Sequence, residues 1–375
     1  MRLRTIWRVV GAGLLALGTA GCAGTPAATV TPRPAATAEV TRAATVTALA
    51  SAAPQATATV ADTATPAEPA GPALVAGQWT GMFYYPPLER VVLVNGGPDR
   101  GKPASDPLEL WAWDGATWSL LAADADGPRW RNFAGAAYDT RRAVLVVQGG
   151  VQSRGAYLED TWEWNGTTWT ELTGPGPGPR EGAEAAYDAA RGQVILFGGA
   201  AGETIAGDTW AWDGAAWTLV SMTGPEPRFP NAMVYDAARE VVLLYGGHYV
   251  GATEVLEYGD LWAWDGAAWR QLEPGAPDPG YRIVSRLVWD PAAARTLMFG
   301  GGDGAFRTDV WAWDGTAWAQ LTPEGAPARS GMSGAFDAAR GVLVAFGGVE
   351  RPGGTALTET WEWDGEGWRC AAGCP

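Results

Sequence analysis

The chain has 375 residues, with 26 Lys and Arg against 41 Asp and Glu, and a net charge of −15. That acidic balance argues against nucleic acid as a partner and against docking on anionic lipid by charge. One histidine and three cysteines leave too few ligands for a metal-dependent hydrolase, and no cofactor is expected.

The chain begins with a positive segment carrying Arg2, Arg4 and Arg8, followed by small and apolar residues over 9–21. This run is too short to span a bilayer comfortably. With Leu17, Ala20 and Gly21 before Cys22, it is similar to a bacterial lipobox, although Thr19 stands where leucine is usual. The resemblance implies a lipoprotein signal peptide over 1–21, cleavage before Cys22 and lipid attached to that cysteine. The alternative is an ordinary secretory signal with an incidental cysteine, and either way the chain is exported. The membrane is then met through the lipid anchor alone, at the cell surface or in the periplasm. Residues 22–76 are mostly Ala, Thr, Pro and Val, without one aromatic side chain. Such a composition buries no core, so the segment is expected to be a disordered tether with a reach on the order of 40 Å.

From residue 77 to 375 the chain repeats. Six copies of one stretch read LELWAWDGATWSL, DTWEWNGTTWTEL, DTWAWDGAAWTLV, DLWAWDGAAWRQL, DVWAWDGTAWAQL and ETWEWDGEGWRCA. Their first tryptophans are Trp111, Trp162, Trp210, Trp262, Trp311 and Trp361, and 18 of the 22 tryptophans fall in these triplets. Even spacing of this kind marks a structural unit and not a catalytic box. In a strand, Trp162 and Trp164 share one face. Asn165-Gly166 is the dipeptide of a type I′ turn, which needs positive φ at both central residues. That turn sets Trp164 opposite Thr167 and Trp162 opposite Trp169. A sialidase-type Asp-box, Ser-x-Asp-x-Gly-x-Thr-Trp, is out of register, since Asp and Gly are adjacent here.

Each unit carries two further parts upstream. One is an apolar run closing on double glycine, such as VLVVQGG or VVLLYGG, which predicts a buried strand. The other, such as AAYDAARGQV, predicts strand, turn, strand, with Asp188 and Arg191 as an exposed capping pair. Four strands in each unit of about 50 residues, repeated radially, make a β-propeller. The units at both ends supply all four of their own strands, and Trp79 is a candidate extra strand or plug. Cys370 and Cys374 make a small C-terminal disulfide, the plain pairing in an exported chain.

The apolar runs ending in Gly-Gly, the paired aromatics and the openings Pro128-Arg129, Pro179-Arg180 and Pro227-Arg228 resemble the kelch repeat. The likeness covers about residues 77 to 370. It implies an all-β, six-bladed kelch-type propeller with four antiparallel strands per blade. It implies no single function, because function lies in sites grafted on the fold.

The short turns share one face of the ring, and the long loops share the other, where binding is expected. The between-unit loops offer Arg129, Trp130, Arg131, Arg180, Glu181, Arg228, Phe229, Tyr281, Arg282 and Arg329 as candidate ligand contacts. The same recurrence fits a structural role for the Pro-Arg element equally well. The loops within units add Arg100, His248 and Tyr249. One inner-strand column reads Met82, Gly135, Glu184, Ala232, Arg286 and Ser333. Small residues suit a crowded axis. Glu184 and Arg286 break the pattern and pair either across the channel or with local partners. A copper radical oxidase on a kelch propeller needs two histidines, and only His248 is present. The expected function is therefore that of a lipid-anchored scaffold, monomeric, binding a protein partner or a glycan. The alternative is a sugar epimerase or mutarotase with an acid/base in the funnel. An open funnel favours the small ligand; a plugged one under broad loops favours a protein.

Overall fold

In the computed structural model the described residues are 74, 81–95, 103–152, 155–251, 253–303, 305–322, 327–351 and 354–374. The signal peptide, Cys22, nearly all of the tether, Trp79, Arg100 and the first double glycine at Gly96 lie outside them. Leu74 is partly buried against Leu93, Trp111 and Phe346.

The chain folds as an all-β, six-bladed propeller with four antiparallel strands in each blade. Blade 3 illustrates the plan: Glu184–Asp188, Gln193–Phe197, Thr209–Trp212 and Trp217–Ser221, paired in chain order. The second strand is the most apolar, and Val194, Ile195, Leu196 and Phe197 are all fully enclosed between neighbouring blades. Blade 1 departs from the others at Pro86–Leu88, where a single 3₁₀ turn replaces the Asp-centred turn.

The Asp-centred turns are more buried than their sequence suggested. Asp188, Asp236 and Asp337 are at most 1 % exposed. Each caps the backbone N–H of the arginine three residues on and binds its guanidinium, as in Arg191 to Asp188 at 2.8 Å. Burial alone would raise the matching Asp139 carboxyl, but hydrogen bonds from Arg142 and Tyr187 hold it below the usual range.

The Asn/Asp-Gly hairpins also differ from expectation. Trp164 pairs with Trp169, Trp162 with Glu171, and four residues separate the two strands. Only Gly166 has positive φ, at 98°, so the turn is not type I′. The cause is the Asn165 side chain, whose Oδ1 accepts the N–H groups of Thr167 and Thr168 at 3.0 and 2.9 Å. This Asx cap satisfies the loop without a left-handed residue at 165. The aspartates of the other copies do the same. The second and third rings of each triplet therefore meet across the hairpin, with centroids 5.3–6.5 Å apart. The turn glycine has a second duty. A Cβ on Gly214 would lie 2.9 Å from the Arg142 guanidinium of the preceding blade.

The ring closes without exchanging a strand, as blade 1 uses residues 82–122 and blade 6 uses residues 330–372. Side chains form the closure. Trp113 Nε1 donates to Glu362 at 2.8 Å, Trp118 Nε1 donates to Thr360 at 2.7 Å, and the Trp118 ring meets Phe346 at 5.3 Å. Cys370 and Cys374 are joined by a disulfide at the end of blade 6.

Candidate functional site

The long loops and between-blade connections lie on one face of the ring, at the ends of the strands opposite the Asp-centred turns. Five of the candidate arginines are part of the frame there. Arg131, Arg180, Arg228, Arg282 and Arg329 are 1–6 % exposed. The first four pair with Asp160, Asp208, Asp260 and Asp309, the acid two residues before the first tryptophan of the triplet. Arg329 pairs with Glu359 in the same way. Each also donates to the carbonyl of the first glycine of its own blade's pair. The same acid accepts the tryptophan Nε1, as in Trp210 to Asp208 at 2.7 Å. Burial would raise Asp160, Asp208 and Asp309, but the arginine and tryptophan donors hold them below the usual carboxylate range. The arginine backbone then ties adjacent blades, because the carbonyl of Arg180 accepts the Gly150 N–H at 2.8 Å. A Cβ on Gly149 would sit 2.7 Å from that carbonyl, which explains glycine at the strand end.

This clasp was partly legible. The acid stands two before the first tryptophan in every copy, yet nothing local links it to an arginine 27–32 residues earlier. In blade 2 the clasping residue is Arg131 and not the Arg129 of Pro128-Arg129. Arg129 instead donates to the carbonyls of Ser105 and Ala125 at 3.0 and 2.7 Å. Trp130 is 1 % exposed and donates to the Pro103 carbonyl at 2.6 Å, so it props the loop from within.

Within-blade loops form small hairpins in three blades: Val151–Gln152 with Ala156–Tyr157, Ala200–Ala201 with Thr204–Ile205, and His248–Val250 with Val255–Glu257. Glu181 bridges to Ala200 through the backbone, and Phe229 bridges to His248. The Phe229 and His248 rings lie 5.4 Å apart. His248 is buried, and its enclosure pushes its pKa down to about 4, so the ring is neutral near pH 7. Tyr249 and Tyr281 are half-buried beside this hairpin and the following connection. Arg228 lies over the Tyr258 ring at 3.7 Å.

In blades 2 to 6 the inner column occupies one register, each member paired with the residue just before the double glycine, whereas Met82 of blade 1 pairs with Leu93, three residues before Gly96. Glu184 and Arg286 meet across the axis, with Arg286 Nη1 2.8 Å from Glu184 Oε1. Arg286 Nε also donates to the Met332 carbonyl at 2.9 Å, so one guanidinium links blades 3, 5 and 6. Burial pushes the Glu184 carboxyl up and Arg286 pulls it back down. Its side chain keeps 22 % of its surface accessible, but that surface lines a narrow cavity. The cavity measures about 10 Å³ and is walled by Phe133, Pro230, Asn231, Ser285 and the ion pair. That is about the space of one water molecule. Phe133 and Val284, at matching places two residues after a clasp arginine, have φ of 57° and 59°. Gly182 and Gly331 occupy that place in blades 3 and 6 without the steric cost.

No protein-family model matches the chain, and no curated protein matches it in sequence.

Proposed function

We propose that this chain is an exported, lipid-anchored binding scaffold of the kelch type that takes a protein partner on its loop face. The observation that carries the reading is the ion pair at the inner column. The Glu184–Arg286 pair bridges the axis and leaves a cavity of about 10 Å³, too small for a sugar ring. The turn face offers little for recognition, because its recurring Asp and Arg groups cap turns and pair with one another. The loop face carries what the repeats do not share: the hairpins, Tyr157, Tyr249, Tyr281 and Phe306. Rigid blades presenting unlike loops suit recognition of a surface wider than a pocket. The lipobox-like start through Cys22 supplies the anchor in this reading, and the Ala/Thr/Pro-rich stretch supplies reach.

The test is photo-crosslinking in the producing cells. A photoreactive residue is placed at Tyr157, Tyr249 or Phe306 on the loop face, and at Leu219 on an outer strand or Met222 just after it. A discrete protein adduct at loop positions alone is expected. Adducts at the outer strand alone, or at no loop position, would overturn the reading. A purified glycan retained by the loop face in the absence of any protein would replace the partner with a sugar.

A further inference from the structure

The three loop-face hairpins are not equivalent. Those of blades 2 and 3 have two residues per strand. The hairpin of blade 4 has three, and its outer strand Val255–Glu257 is exposed along its whole length. Val255 and Leu256 are 39 % and 41 % exposed. The inner strand is already paired on both sides, because His248 exchanges backbone hydrogen bonds with Phe229. The outer strand has a free side. Gly251 N–H donates to the Glu254 carbonyl, and Tyr258 N–H donates to the Gly247 carbonyl. These bonds set the phase of the ladder. Residues 254, 256 and 258 turn their backbone groups inward, and Val255 and Glu257 turn theirs outward. Among the described residues no backbone hydrogen bond reaches that outward edge.

Natural sheet edges are blunted by short length, charged side chains, proline, a bulge or a cover. Val255–Glu257 is short and carries Glu257, but it has no lysine or proline, and no bulge is recorded in its pairing. It has carboxylates: Glu254 and Glu257 are exposed on the hairpin, and Asp303 stands near by. The Tyr281 hydroxyl locates them, since it is pushed up first by its own burial and then by the negative charges of Glu257 and Asp303. Arg228, which lies over the Tyr258 ring, and Arg307 are already paired with Asp260 and Asp303. Alternation places Leu256 beside Tyr249 on one face of the hairpin, and Val255 and Glu257 on the other. The surface is therefore an open backbone edge, flanked by apolar side chains and framed by Glu254 and Glu257, which make no ion pair among the described residues, while Asp303 is neutralised by Arg307.

We propose that Val255–Glu257 accepts an extended segment of the partner protein as an added β-strand, one that alternates apolar and basic side chains. Backbone hydrogen bonds to Val255 and Glu257 supply the register. Leu256 and Tyr249 receive apolar side chains on one face, and Glu257 on the other face attracts the lysines or arginines. The assignment rests on the protein-partner reading and narrows it to one hairpin and one chemistry.

The probe is a fluorescent nine-residue peptide alternating leucine and lysine, titrated against the full chain and read by anisotropy. A second peptide carries the same side chains with alternate backbone nitrogens methylated, and a third replaces lysine with glutamate. The methylated and glutamate peptides are expected to bind at least tenfold more weakly. Val255→Pro removes one outward N–H without touching the hairpin's own ladder, and a loss of at least fivefold is expected with the melting temperature unchanged. Glu257→Lys is expected to weaken the lysine peptide and strengthen the glutamate peptide. Equal binding of the methylated peptide, or no binding of the lysine peptide at millimolar concentration, overturns the proposal. If Val255→Pro fails to fold, the methylated peptide and Glu257→Lys still decide. Crosslinks at Tyr157 or Phe306 with a silent peptide would remove this edge alone and leave the wider reading standing.

Discussion

The seam between blades 6 and 1 and the seam between blades 4 and 5 are built from the same repeat, yet they are held together differently. At the first, Glu362 and Thr360 on the third strand of blade 6 accept the indole N–H groups of Trp113 and Trp118. At the second, the matching residues are Ala263 and Leu261, and the indole nitrogens of Trp313 and Trp318 are buried without a partner. The rule runs round the ring. Glu163 and Thr161 of blade 2 accept from Trp212 and Trp217. Thr209 of blade 3 accepts from Trp269, while Ala211 leaves Trp264 unpartnered. Blades 1 and 5 have apolar residues at both places, and Trp164, Trp169, Trp363 and Trp368 lack partners. The apolar seams rely on close packing alone. Among the described residues no strand is exchanged between blades 6 and 1, and that seam carries directional contacts, which fix a register that packing alone leaves loose.

The strongest way to break the contrast is Glu362→Ala. It orphans the Trp113 indole and takes a partner from Arg340 and Arg369, for an expected loss of about 3–5 kcal/mol in chemical denaturation. Ala263→Ser at the apolar seam is expected to change stability by less than about 1 kcal/mol.

Acid separates the seams from the loop face. His248 stands in neither kind of seam contact, and its folded pKa of about 4 lies below the ordinary value of 6.5. The unfolded chain therefore binds the extra proton between these values. The stability that His248 contributes is complete above pH 6.5 and is lost as pH falls toward 4, by roughly 2–4 kcal/mol. Thermal melts of the wild type and His248→Phe across that range should converge in slope only above pH 6.5.

Paired Trp→Phe changes sharpen the comparison. Trp113→Phe leaves a buried Glu362 oxygen short of a donor, whereas Trp313→Phe removes an indole N–H that already lacks a partner. Trp113→Phe should cost about 1–3 kcal/mol more. The smallest effects come from exchanging the other acceptor. Thr360→Val should destabilise by about 1 kcal/mol, and Leu261→Thr should recover part of that amount at the apolar seam. Equal costs at both seams in either pair would remove the distinction.

Much of the frame was legible in the residues. Trp162 and Trp164, two apart before an Asn-Gly, announced a hairpin, and the run VLVVQGG announced a buried strand. The column containing Glu184 and Arg286 pointed to their meeting across the axis. The turn register was misjudged because the Asx cap of Asn165 lengthens the loop from two residues to four and moves the partner of Trp164 from Thr167 to Trp169, and dipeptide preference does not register that cap. The clasp arginines were legible as a recurring element but not as buried partners, since Arg180 and Asp208 are joined only once the blade has folded. The edge at Val255–Glu257 carries no motif; its openness is a property of the hairpin's surroundings.

The sequence by itself determined the number of blades, the order of strands and the common face of the tryptophan triplets. Those follow from short-range chemistry: alternation along a strand, glycine where φ is positive, and an apolar run that must be covered. Only the tertiary structure decided which acid clasps which arginine, which indole finds an acceptor, and that Glu184 and Arg286 meet. Such contacts join residues from 27 to 249 positions apart. Their partners are chosen by the curvature of the ring, which brings unlike members of like repeats together.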